Sequence, residues 1–97
     1  MKVSKEIKCL YDSRIQIAKV SDGGNSSWGE KKGDKEDSIR LAWYNNNGGF
    51  DPYSSAELPL WGLKAIIQAA AQNDMFPKDD LAEIIGSLTA SVYRQVK

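Results

Sequence analysis

Lys8, Arg14, Gln16, Arg40 and Tyr44 fall at alternate positions of three strand-like stretches, so they share one face if those stretches pair. Trp28, Lys31, Lys32 and Lys35 lie in the glycine-rich segment between the second and third stretches. Flexible cations follow phosphates, and aromatic rings offer surfaces on which unpaired bases stack, which is the chemistry single-stranded nucleic acid requires. The candidate nucleic-acid contacts are therefore Lys8, Arg14, Trp28, Lys31, Lys32, Arg40 and Tyr44. A polar outer face is also the ordinary solvent side of an antiparallel sheet. Glu30, Asp34, Glu36 and Asp37 further dilute the charge of the segment. Trp28 has two readings of its own: a lid folded back onto the core, or a ring that meets a ligand.

Other chemistry finds little material. The chain has no histidine, the commonest general base and metal ligand. Its single cysteine, Cys9, can form neither an internal disulfide nor a thiolate metal site, and its place among alternating residues reads as a buried structural thiol. Asp79, Asp80 and Glu83 lie within one turn, but an acidic helix N-terminus explains them without a cation. Gly23-Gly24 and Lys31-Lys32-Gly33 do not follow a strand and open a helix, as a phosphate-binding loop must. No catalytic residue, metal or cofactor is expected, and the chain is read as a non-enzyme.

The elements that must position these residues follow from periodicity. Lys5 to Tyr11 alternates, with Val3, Ile7, Cys9 and Tyr11 on one side, and Arg14 to Val20 alternates again after a tight turn at Asp12-Ser13. The two should form an antiparallel hairpin. Residues 21–37 hold four glycines and Trp28 as the one apolar side chain, so a long mobile loop is expected there. Ser38 to Tyr44 reads as a third strand, with Ile39, Leu41 and Trp43 toward the core and Arg40, Ala42 and Tyr44 outward. Asn45-Asn46-Asn47-Gly48-Gly49 suits a reversal that needs positive φ. A short edge strand over 50–53 follows, confined to an edge by Pro52. Ser55 to Asn73 predicts a helix that is apolar around most of its circumference, opened by a Ser54-x-x-Glu57 capping box, with Pro59 in its first turn. Asp79 to Val96 predicts a second helix with Leu81, Ile84, Ile85, Leu88 and Val92 on one stripe; Arg94 and Lys97 suit its C-terminal end. Trp43 and Trp61 fall at core positions.

The fold class expected is α+β: an antiparallel sheet of three or four strands packed by a C-terminal αα-hairpin. Its 97 residues suit one domain, with a sheet region over 1–53 and a helical hairpin over 54–97. Thirteen basic residues cancel thirteen acidic ones, so no global field advertises a polyanionic partner. The first 40 residues carry nine basic against seven acidic side chains, the remainder four against six. MKVSKEIK lacks an apolar signal-like run and no stretch is long enough to span a membrane, which points to an intracellular, cytoplasmic protein with no membrane partner. The wide apolar arc of the first helix predicts a homodimer through Leu60, Trp61, Leu63 and Ile67.

The run over 38–67 resembles the positive-cofactor-four family of single-stranded-DNA-binding transcriptional coactivators. Ile39, Arg40, Trp43, Tyr44, Gly49, Pro52, Trp61 and Leu63 stand in the order of that family's strand, glycine-containing turn and Trp-bearing helix. Ser54-Ser55-Ala56-Glu57-Leu58 stands where the family carries a Lys-Gly-apolar-x-Leu segment, and 79–96 has no counterpart in its minimal domain. The resemblance implies a homodimer that binds unpaired DNA through its sheets without enzymatic activity, with Arg40 and Tyr44 as contacts. Two functions therefore stand side by side: a single-stranded DNA- or RNA-binding accessory factor of transcription or replication, and a small regulator that binds a protein partner through the Trp28 loop.

Overall fold

A computed structural model describes residues 1–28, 36–52 and 54–96. The chain has an α+β fold, with an antiparallel sheet of five strands and two helices. The strands are β1 (Lys5–Lys8), β2 (Ser13–Ala18), β3 (Ser38–Tyr44), β4 (Phe50–Asp51) and β5 (Glu57–Pro59); the helices are α1 (Leu60–Gln72) and α2 (Lys78–Val96). Residues form two compact units, Met1–Ala65 and Ile66–Lys97. Among the described residues no helix is long and apolar enough to cross a membrane.

β1 and β2 form the expected hairpin, from Lys5↔Ile17 to Lys8↔Arg14. Its turn comes earlier than Asp12-Ser13: Tyr11 takes a left-handed backbone with φ 58°, the Cys9 N–H donates to the Ser13 carbonyl (3.1 Å), and Ser13 already belongs to β2. That early reversal leaves Cys9 and Tyr11 exposed beyond the strand, which corrects the reading of Cys9 as a buried thiol. β3 occupies the 38–44 stretch read from alternation and pairs with β2 from Ala18↔Ser38 to Ser13↔Trp43. The Asn-Gly run turns the chain as its chemistry predicts: Asn45 Oδ1 accepts the N–H groups of Asn47 (3.0 Å) and Gly49 (2.8 Å), with Gly48 at φ 79°.

The second edge of β3 is shared by two short strands. Trp43 pairs with Asp51 in β4, and Arg40 pairs with Glu57 in β5. Three steps along β3 thus correspond to six along its neighbour, a bulge of three extra residues. Tyr53, at the end of the expected edge strand, lies outside the described residues.

This pairing also corrects the start of α1. Glu57–Pro59 is claimed by the open edge of β3, so the helix begins at Leu60 and the sheet runs past residue 53. The capping box does not form. Ser54 Oγ donates to Asp51 Oδ2 (2.9 Å), and Ser55 Oγ accepts the Trp43 N–H (2.8 Å) inside the bulge. Pro59, lacking an N–H, closes a strand rather than opening a helix. The C-terminal end of α1 is a Schellman turn: Met75 N–H donates to Ala70 O (3.0 Å), Asp74 N–H to Ala71 O (3.2 Å), and Asp74 has φ 53°. α2 starts at Lys78 with Asp79 and Asp80 in its first turn and Arg94 in its last, as the helix dipole favours. Lys97 lies outside the described residues.

Alternation in β2 and β3 sorts side chains as expected, but the cover is distributed differently. Ala42, read as outward, is fully buried, while Leu41, read as inward, is 40 % exposed. Ile7 and Leu41, on the face opposite Ala42, stay open. Ala18, Ser38 and Pro59 are buried at the other end of the same polar face. There Gly24 lies so close that a Cβ on it would stand 2.5 Å from the Lys19 nitrogen. No residue of either helix is buried; Leu60 and Trp61 are 59 % and 61 % exposed, which corrects Trp61 as a core residue.

Candidate nucleic-acid interface

The polar face of the hairpin and β3 carries a continuous set of contacts. Glu6, Gln16 and Arg40 come into line across three strands because their register positions match, Glu6↔Gln16 and Gln16↔Arg40. Gln16, only 5 % exposed, is the hub. Its Nε2 donates to Glu6 Oε2 (2.7 Å) and to the Tyr44 hydroxyl oxygen (3.1 Å), and its Oε1 accepts from Arg40 Nε (2.7 Å). Arg14 Nη1 completes an ion pair with Glu6 Oε1 at 3.1 Å. The Gln16 donor, with the Arg14 guanidinium beside it, holds the Glu6 carboxyl below its ordinary value against a smaller opposing desolvation.

Two aromatic rings lie under the cations. The Arg14 guanidinium sits 4.3 Å from the centre of the Tyr44 ring, and that of Arg40 sits 4.4 Å from the Phe50 ring. Tyr44 and Phe50 meet edge to face at 5.9 Å. Stacking of this kind fixes the plane of each guanidinium while leaving donors at its rim. Where the two turns meet the sheet, a cleft of about 390 Å³ opens, lined by Lys8, Arg14 and Tyr44 from the strands and by Tyr11, Asn45 and Asn46 from the turns.

Four of the sequence-derived contacts therefore belong to one surface: Lys8, Arg14 and Tyr44 line the cleft, and Arg40 joins them through Gln16 and Phe50. Trp28 does not join them. Its Nε1 donates to the Glu57 carbonyl (3.0 Å), and its ring meets Trp61 edge to face at 6.0 Å. Its ring lies against the exposed Trp61 rather than over buried core residues. Glu57 anchors the same segment: its Oε2 accepts from Ser27 N–H (2.8 Å) and Ser38 Oγ (2.7 Å). Burial raises the pKa of this carboxyl, but the donated hydrogen bonds from Ser38 and Ser27 outweigh it and hold the carboxyl below its ordinary value. Lys31 and Lys32, with most of the loop expected over 21–37, lie outside the described residues.

Sequence reasoning missed Phe50 and Glu6. Glu6 was legible, since it alternates with Lys8 and faces Gln16. Phe50 was not, because its face is set by the Tyr44↔Phe50 register, which depends on how the Asn-Gly run turns. Of the expected self-association residues, Leu60 and Leu63 line a small apolar cleft of about 160 Å³ with Ile17 and Ile39, and Ile67 stands exposed farther along α1. Among the described residues no group of three or more His, Cys, Asp or Glu side chains is placed to hold a metal ion. No family model matches the chain, and no curated protein or solved structure shows significant similarity to it.

Proposed function

We propose that the protein is a non-enzymatic single-stranded nucleic-acid-binding protein that uses the polar face of its sheet, with Lys8, Arg14, Arg40 and Tyr44 as contacts. One observation carries the reading: Arg14 and Arg40 are stacked on Tyr44 and Phe50 at 4.3 and 4.4 Å, so cations and rings form one platform. Such a platform supplies phosphate contacts from the guanidinium rims, and its stacked guanidinium and aromatic planes offer surfaces for bases. Near-zero net charge implies that binding depends on this local cluster rather than on long-range attraction. The test is fluorescence anisotropy of a labelled single-stranded oligonucleotide across a salt series. Expected is binding that weakens steeply with salt, and a loss of about tenfold or more in affinity for Arg40→Ala. Binding absent at low salt would discard the reading.

The exposed apolar side chains of α1, Leu60, Trp61 and Ile67, support a homodimer as the working form. Sedimentation that finds only monomer, with a melting temperature independent of protein concentration, would remove that part. A second reading draws on Trp28 and Trp61, a pair of tryptophans 41 % and 61 % exposed in edge contact. Tryptophan is favoured at the energetic centres of protein interfaces, so the pair suits recognition of a protein partner. Unchanged partner binding by Arg40→Ala, together with its loss in Trp28→Ala, would favour this reading over the first.

A further inference from the structure

The cleft at the turn end of the polar face has a shape that a passing strand does not need. Cys9, Tyr11, Asp12, Asn45, Asn46 and Gly48 line it on the turn side, and Lys8, Arg14 and Tyr44 line it on the side of the platform. A single strand laid from Arg40 toward Tyr44 runs into those turns. About 390 Å³ is also the scale of a site for one small ligand rather than of a continuous channel. We propose that this cleft holds the terminal nucleotide of a single strand and reads its phosphomonoester, an inference that rests on the nucleic-acid reading above.

The charges fit an end better than an interior position. Lys8 and Arg14 sit directly opposite each other in the strand register and line the same cleft. A terminal phosphomonoester carries nearly two negative charges at neutral pH, an internal diester one. Arg14 is already oriented, by Glu6 at 3.1 Å and by the Tyr44 ring at 4.3 Å, so ordering it on binding costs little. Asp12 is the acidic residue of the lining and belongs to the turn wall, which leaves the sheet wall to the phosphate. Tyr11, highly exposed on that turn, presents a ring to the terminal base.

The experiment displaces a labelled unphosphorylated oligonucleotide from the full chain with four competitors of one sequence: 5′-phosphorylated, 3′-phosphorylated, unphosphorylated and closed circular. One phosphorylated competitor should be about tenfold stronger than the unphosphorylated and circular ones, and which one it is assigns the end. In Lys8→Ala that preference should fall to about twofold or less, whereas Arg40→Ala should weaken all four alike. Lys8 is exposed on an edge strand, so its truncation leaves the fold intact. Equal competition by all four, or a preference that survives Lys8→Ala, overturns the end inference and leaves the platform standing. A tracer that does not bind at all overturns both.

Discussion

Replacing Gln16 by alanine should unsettle the polar face more than any other single truncation there. The side chain is 5 % exposed and makes three hydrogen bonds, two of them to charged groups, Glu6 and Arg40. A bond to a charged group contributes about 1.5–3 kcal/mol and a neutral one about 1 kcal/mol, so simple addition suggests roughly 4–7 kcal/mol. Addition overshoots here. The Glu6 carboxylate lies on a side chain 38 % exposed and recovers water once Gln16 is gone, which discounts its bond to the surface scale. Arg40 keeps its stacking on Phe50. The net cost is about 2–3 kcal/mol, most of it from the Tyr44 hydroxyl losing a fixed donor and the Arg40 Nε losing a fixed acceptor. In a domain of this size that corresponds to a fall in Tm of about 10–20 °C. Trp28, Trp43 and Trp61 all belong to the unit Met1–Ala65, so urea unfolding followed by tryptophan emission reports this unit. A loss below about 0.5 kcal/mol, with the slope unchanged, would show that the network is hydrated and contributes no order to the face. Gln16→Glu sharpens the test: it sets two carboxylates together, so its deficit should shrink as pH falls and one of them takes a proton.

Acid should loosen the same unit. Glu6 and Glu57 both titrate below the ordinary 4.5 when folded, so their stabilisation is fully present above that value and is lost as pH falls through the lowered ones; urea midpoints that rise on acidification over this range would contradict it. Glu57→Ala strands the buried Ser38 hydroxyl and the Ser27 N–H, and should cost about 1–2 kcal/mol while increasing acrylamide quenching of Trp28. Unchanged quenching would mean that the indole bond to the Glu57 carbonyl holds the loop alone. Gly24→Ala should destabilise by about 3 kcal/mol, because the new Cβ would meet the backbone of Ala18 and Lys19 at 2.5–2.8 Å; an equally stable variant would show that the loop can lift. Asp74→Gly should stabilise the helical unit by about 1 kcal/mol, since glycine takes the left-handed φ of 53° without strain; thermal melting by far-ultraviolet circular dichroism measures it.

Local chemistry was readable from the residues. β3, the Asn-Gly turn and α2 each follow from a pattern completed within a few neighbours, and their bounds agree with it closely. The features that escaped are set by distant pairing. Glu57–Pro59 has the marks of a helix start, yet the open edge of β3 offers three ladder positions that a capping box does not match. Alternation told which residues of β3 share a face. It did not tell which face is covered: Ala42 on the polar face is fully buried, while Leu41 on the apolar face is 40 % exposed. The candidate contacts divided the same way. Lys8, Arg14, Arg40 and Tyr44 were grouped by strand periodicity, while Trp28 sits in a segment without periodicity, where contacts to the distant Glu57 and Trp61 hold it.

The three-residue bulge between β4 and β5 has a consequence for how this chain tolerates insertions and deletions. Phe50 and Glu57 are seven positions apart, an odd separation, and in an uninterrupted strand they would point to opposite faces. The odd surplus of the bulge restores parity: Phe50 lies under Arg40, and Glu57 reaches Ser38 from the same face. Removing one residue from 52–56 makes the surplus even and sends either the aromatic or the carboxylate through the sheet to the apolar side. A one-residue length change in this segment is therefore expected to disturb the sheet more than a two-residue change.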